Sequence, residues 1–161
     1  MKTLYVLIFL TISLNISAKQ PVVSKKFHKE LNKFFGVENV RAIQIKELTG
    51  KNDIVFNLFH EDKELGIAVL SSAMGRHNWF DYVIIYNPDI EIQHIKVLVY
   101  RSEYGSEIMA KRWLSQFYSR KEDSLKYGSD IQAISGATFS AISMTKNINR
   151  INKMLNEYFA E

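Results

Sequence analysis

Residues 54–101, IVFNLFHEDKELGIAVLSSAMGRHNWFDYVIIYNPDIEIQHIKVLVYR, are short branched and aromatic runs cut by turn residues. The runs at 54–60, 65–71, 80–86 and 90–100 read as β-strands. Glu61-Asp62-Lys63-Glu64 interrupts the first pair as a hairpin tip does, and Asn87-Pro88-Asp89 is a turn. In the last run Ile95, Val97 and Val99 recur at every second position, which sends them to one face of a sheet. Successive strands joined by short turns must run antiparallel, because parallel neighbours need a long crossover.

Working outward, residues 40–46 are a further short strand and residues 49–53 a turn. Upstream, Ser24 reads as an N-cap; Phe27, Leu31, Phe34 and Phe35 follow at one-sided helical spacing, and Gly36 supplies the stop. Downstream of Tyr104-Gly105, Ser106 reads as the cap of a helix to about Tyr118, with Met109, Trp113 and Phe117 on one face. A polar stretch over residues 119–130 has little to bury. The chain finishes in a helix from about Ala137 to Tyr158, whose inward stripe is Ala141, Met144, Ile148, Ile151, Leu155 and Tyr158. The expected fold is α+β: a single domain, an antiparallel sheet with an N-terminal helix and C-terminal helices packed on it.

The 161 residues suffice for one domain with a real core. Residues 1–18 form a separate unit: Lys2, an apolar run from Leu4 to Leu14, then Ile16-Ser17-Ala18. This is the pattern of a signal peptide cleaved after Ala18, a retained anchor being the alternative. The apolar run falls short of the roughly 20 residues of a spanning helix. Residues 19–161 are then the mature domain, expected in the periplasm or otherwise exported. The chain has no cysteine, which excludes thiol catalysis, iron–sulfur clusters, c-type haem attachment and a lipoprotein tether. Formal charge is +4, or +3 without Lys2, too slight for a nucleic-acid binder. Lys19, Lys25, Lys26, Lys29 and Lys33 gather near the mature start, at the spacing of a solvated helix face.

The stretch richest in chemistry is Ile134-Ser135-Gly136-Ala137-Thr138-Phe139-Ser140, a small-residue loop feeding the last helix. A helix start presents unpaired N–H groups and partial positive charge, so a phosphate is accommodated there. Gly136 permits a tight turn and close approach, and Ser135, Thr138 and Ser140 bring three hydroxyls to the same place. The same residues also suit a plain helix-capping loop.

The run Ser135-Gly136-Ala137-Thr138-Phe139-Ser140 resembles the flavinylation signature of the FMN-binding domain family. That family includes the flavin-carrying C subunit of sodium-pumping NADH:quinone reductase, the Rnf complex G subunit and small stand-alone secreted proteins. Residues 101–107 and 112–117 are similar to the segment after the central sheet in the stand-alone members. The strand pair around 66–70 and 82–86 fits as well, so the likeness covers roughly 53–152. It implies FMN, esterified through its phosphate to Thr138 by a dedicated flavin transferase. It further implies phosphate contacts from Gly136, Ala137, Ser135 and Ser140, with Tyr104 and Gly105 beside the flavin ring. Trp113 and Phe117 could flank that ring or belong to the core, and Arg101 or Arg112 could pair with the phosphate or lie in surface ion pairs. One position departs from the pattern: the aspartate usual six residues before the threonine is Gln132 here, and Asp130 stands two residues earlier.

What the resemblance implies is an electron carrier outside the cytoplasm, working with a membrane or extracytoplasmic redox partner rather than as a stand-alone catalyst. The alternative is a non-redox binding module of the same fold. His28, His60, His77 and His94 lack metal-ligand spacing. A hydrolase built on Ser135 or Ser140 would need His77 or His94 to approach in space. Neither a phosphate loop nor a dinucleotide fingerprint is present.

Overall fold

The computed structural model describes residues 20–160, with side chains from Ser24 onward; the leader read at 1–18 lies outside the described residues. Strands β1 (Arg41–Gln44), β2 (Asp53–His60), β3 (Lys63–Met74), β4 (Trp79–Tyr86) and β5 (Ile92–Val99) form one sheet in sequence order. Every neighbouring pair is antiparallel. The expected meander is therefore present, with β3 longer at both ends and the β2–β3 tip reduced to Glu61-Asp62.

Each face of the sheet carries a helix. Helix α1 (Gln20–Phe35) sets Phe27 and Leu31 against Leu58, Ala68, Val83, Ile85 and Leu98. On the opposite face α3 (Thr138–Phe159) sets Ala141, Met144, Ile148, Ile151 and Leu155 against Val55, Val69, Ile84, Ile95 and Val97. In β4 the period-2 alternation assigns odd and even positions to different helices, whereas in β5 the bulges of its pairing with β4 break it, so that Leu98 and Val99 both join the α1 side. The alternation is why the interior strand β4 is buried on both faces from Tyr82 to Tyr86.

Five details differ from the sequence reading. Ser24 is not the cap of α1, which begins four residues earlier at Gln20. The single helix expected over 106–118 is three short pieces: a 3₁₀ turn at Ser106–Met109, α2 (Lys111–Leu114) and a second 3₁₀ turn at Ser115–Phe117. Gly105, not Ser106, occupies the first cap. Ala110 is extended (ψ 122°), and this break lets Ile108 and Trp113, which an unbroken helix would point apart, both enter the core. Met109 is consequently exposed. Tyr158 is also exposed, because the core ends at Leu155.

A buried polar network fixes α3 against the sheet. Asn147 donates to the Tyr82 hydroxyl at 2.6 Å and to Ser71 at 2.8 Å, while Ser71 donates to Asp53 at 2.6 Å. Arg150 closes the set with an ion pair to Asp53 at 2.7 Å. One turn further on, Asn152 accepts from the Tyr86 hydroxyl at 2.8 Å and donates to the Glu122 carbonyl at 2.8 Å. Asn149 bonds both the N–H and the carbonyl of Leu125, and Asn156 bonds the Lys121 carbonyl. The polar stretch that offers little to a core is thus held by asparagines of α3, and this sets where the start of that helix falls.

Candidate functional site

The loop before α3 rises from a fixed base. Trp113 donates its indole N–H to the Gln132 carbonyl at 2.9 Å, and the Gln132 N–H donates to the Gln116 side chain at 2.8 Å. Tyr127 bonds the Ile134 N–H at 3.1 Å. The chain then turns through Gly136 at φ 84°, in the left-handed region that favours glycine. Ala137 is the buried N-cap and Thr138 the first helical residue. No side chain caps this 22-residue helix, so the N–H groups of its first turn are left for another partner.

A cavity of about 220 Å³ opens beside that helix start. It is lined by Gly136, Ala137, Thr138, Phe139 and Ser140 from the loop and helix, by Tyr104 and Gly105 after β5, and by Arg76 from the β3–β4 hairpin. Thr138 is exposed, so its hydroxyl is accessible at the cavity. Tyr104 is 76% exposed and Phe139 63%, two aromatic rings left open at the rim. The Arg76 guanidinium lies over the Phe139 ring, 5.8 Å from its centroid. Ser140 is buried, with its hydroxyl 3.1 Å from that of Tyr100.

Six of the seven residues read as cofactor-binding thus line one cavity: Thr138, Gly136, Ala137, Ser140, Tyr104 and Gly105. The seventh, Ser135, is exposed but does not line it. No protein-family model and no curated protein matches the chain.

The other residues weighed for this site lie elsewhere. Trp113 and Phe117 are buried in the core, packed edge to face at 5.3 Å. Arg101 is held away by an ion pair with Asp81 and a bond to the Trp79 carbonyl at 2.9 Å. Arg112 lines a separate cavity of about 450 Å³ with Trp113, Gln116 and Gln132. The cation that does reach the site is Arg76, on a hairpin tip with no motif around it. Asp130 accepts from the Lys126 N–H at 2.8 Å and so closes its own turn.

His94 faces α1, bonded to Glu30 at 2.8 Å and to the Tyr118 hydroxyl at 3.2 Å, and His77 does not line the cavity. No histidine therefore stands beside Ser140 as the base a serine hydrolase requires. Among the described residues no three His, Cys, Asp or Glu side chains are grouped to hold a metal ion, and no helix is long and apolar enough to cross a membrane.

Chemically, the arrangement suits one end of an anionic ligand. The uncapped N–H groups and the Arg76 guanidinium both favour negative charge. Glu107 opposes it on one side, its carboxylate lying against Gly136. An anion therefore belongs on the Thr138–Arg76 side of the cavity.

Proposed function

We propose that this protein is an exported carrier of FMN, bound by an ester between the FMN phosphate and Thr138, that transfers electrons outside the cytoplasm. One observation carries the reading: the exposed Thr138 hydroxyl stands at an uncapped helix start, in a cavity that also receives Arg76. The likeness of residues 135–140 to the flavinylation signature supplies the identity of the ligand.

The residues fit such a group in parts. The N–H groups of Gly136, Ala137 and Thr138 would hold the phosphate, and Arg76 would balance its charge. A volume of about 220 Å³ lies below the roughly 300–1,000 Å³ of pockets that enclose a ligand. Only part of an FMN is therefore enclosed, and Tyr104 and Phe139 offer aromatic surface to the remainder. A bound flavin supplies its own one- and two-electron chemistry. What this chain contributes is the anchor: Thr138 Oγ would give up its proton and bond to phosphorus as the phosphoanhydride bond of a flavin dinucleotide donor breaks and its nucleoside monophosphate leaves, in a reaction run by a flavin transferase. Outside the cytoplasm a covalent anchor prevents loss of a cofactor that cannot be replaced locally.

Gln132, in the place of the usual aspartate, favours a second reading in which the fold serves as a non-redox binding module. Protein isolated from its native compartment separates the two. Intact mass with one added FMN, and in-gel fluorescence that survives denaturation and disappears in Thr138→Ala, are expected. Colourless protein of unmodified mass refutes the flavin reading. Colour lost on denaturation refutes only the ester.

A further inference from the structure

Ser140 in the cavity wall and Tyr100 behind it carry two hydroxyls in contact, whose donor order follows from counting protons. Tyr100 Oη lies 2.8 Å from the carbonyl oxygen of Tyr104 and 3.1 Å from Ser140 Oγ. A carbonyl only accepts, so the single phenolic proton of Tyr100 is committed to Tyr104. The contact with Ser140 is then a hydrogen bond only if Ser140 donates. From this order we infer that Tyr100 is a positioning residue: it holds the Tyr104–Gly105 wall in place and accepts a hydrogen bond from the Ser140 hydroxyl.

The surroundings of Tyr100 fit that role. Gly105 has φ 88°, and a Cβ built there would lie 2.5 Å from Tyr100 Oη, so the hydroxyl packs directly on the glycine. The ring itself is held separately, against Phe80 at a centroid distance of 5.6 Å. Phenylalanine at this position therefore keeps the packing and removes only the hydroxyl.

A consequence for the ligand follows, and it rests on the flavin reading. With its proton spent on Tyr100, Ser140 turns only lone pairs toward the cavity. It cannot donate to a phosphoryl oxygen; it can accept from a ligand hydroxyl. The phosphate is held from the Thr138–Arg76 side without help from Ser140, and the inner corner prefers a polyol to an anion.

The test uses the ligand-free mature protein and the Ile108 amide, which donates to the Gly105 carbonyl at 3.4 Å and so reports on the wall. In Tyr100→Phe its hydrogen exchange is expected to quicken about five- to tenfold, with amides of β4 unchanged. In Ser140→Ala, which leaves the Tyr100–Tyr104 bond intact, the change should stay below about twofold. Equal acceleration in both variants overturns the donor order. No change in Tyr100→Phe, or a uniform rise that includes β4, overturns the positioning role.

Flavin content is then read separately. Wild-type protein without flavin defeats the functional reading and leaves the exchange result standing. If wild type is flavinylated, Tyr100→Phe should carry severalfold less flavin or show a shifted flavin emission. Unchanged yield and emission break the link between Tyr100 and the site.

Discussion

The carboxylate of Glu107 lies so close to Gly136 that a Cβ built on the glycine would come within 2.9 Å of the Glu107 carboxyl carbon. Gly136 also sits at φ 84°, where an L side chain is strained by about 1–2 kcal/mol. Gly136→Ala must therefore shift Glu107 and distort the loop ahead of Thr138. The rest of α3 is held by its own core and should persist. We expect destabilisation of about 1–2 kcal/mol by urea unfolding, an unchanged far-UV spectrum, and loss of most flavin attachment. Flavin retained at the wild-type level would show that the shape of this turn is not needed.

Arg76 is the cation nearest Thr138 around the cavity, and it acts on charge. In a Thr138→Ala background, where no ester can form, Arg76→Ala should weaken FMN binding by roughly two- to fivefold, the scale of an exposed ion pair. Riboflavin, which has no phosphate, should bind equally well to both proteins. Fluorescence titration with each ligand checks this. Equal weakening for riboflavin would place Arg76 against the ring instead.

Much of this arrangement is legible in the sequence, and the failures have physical causes. Strands β2 to β5 could be read because turn residues bracket runs of alternating burial. The loop at 135–140 could be read because small residues before a long amphipathic stripe have few other uses. The break at Ala110 could not: Met109, Trp113 and Phe117 have helical spacing, and only the need to bury Ile108 as well reveals the kink. Arg76 was invisible for another reason. It reaches the site through the pairing of β3 with β4, and its neighbours Gly75 and His77 resemble any hairpin tip. Ser140 was legible as a site residue, but its hydroxyl contact with Tyr100 spans 40 positions of the chain.

The buried tyrosines give the stability an alkaline limit. Burial pushes the hydroxyls of Tyr82 and Tyr86 well above their usual value near 10, because neither can ionise without water. Unfolding releases both to titrate normally. Below pH 10 both states hold the protons and there is no pH dependence from this source. Above it the unfolded chain loses protons that the folded chain retains, so stability falls as pH rises. Each tyrosine contributes a slope of about 1.4 kcal/mol per pH unit. Urea midpoints between pH 9 and about 11 should show the decline, and Tyr86→Phe should make it shallower. A flat profile across that range would mean that these hydroxyls reach solvent.

The network under the middle of α3 makes a contrast between two variants possible. Asp53 is buried and Arg150, its ion-pair partner, is half exposed. Arg150→Ala strands a carboxylate that keeps only the Ser71 hydroxyl, while water can partly fill the space the arginine leaves. The cost should be about 2–3 kcal/mol, below the 3–5 kcal/mol of a fully buried pair. Asn147→Leu removes the group that bonds Tyr82, Ser71 and the Ser72 carbonyl together, and takes from the buried Tyr82 hydroxyl its donor. It should cost a comparable amount, about 1–3 kcal/mol. The two residues share partners, so the double variant should lose less than the two single losses together. A double-mutant cycle in urea measures that coupling. Strict additivity would show that Asp53–Arg150 and Asn147–Tyr82 are separate contacts rather than one clamp holding the helix that presents Thr138.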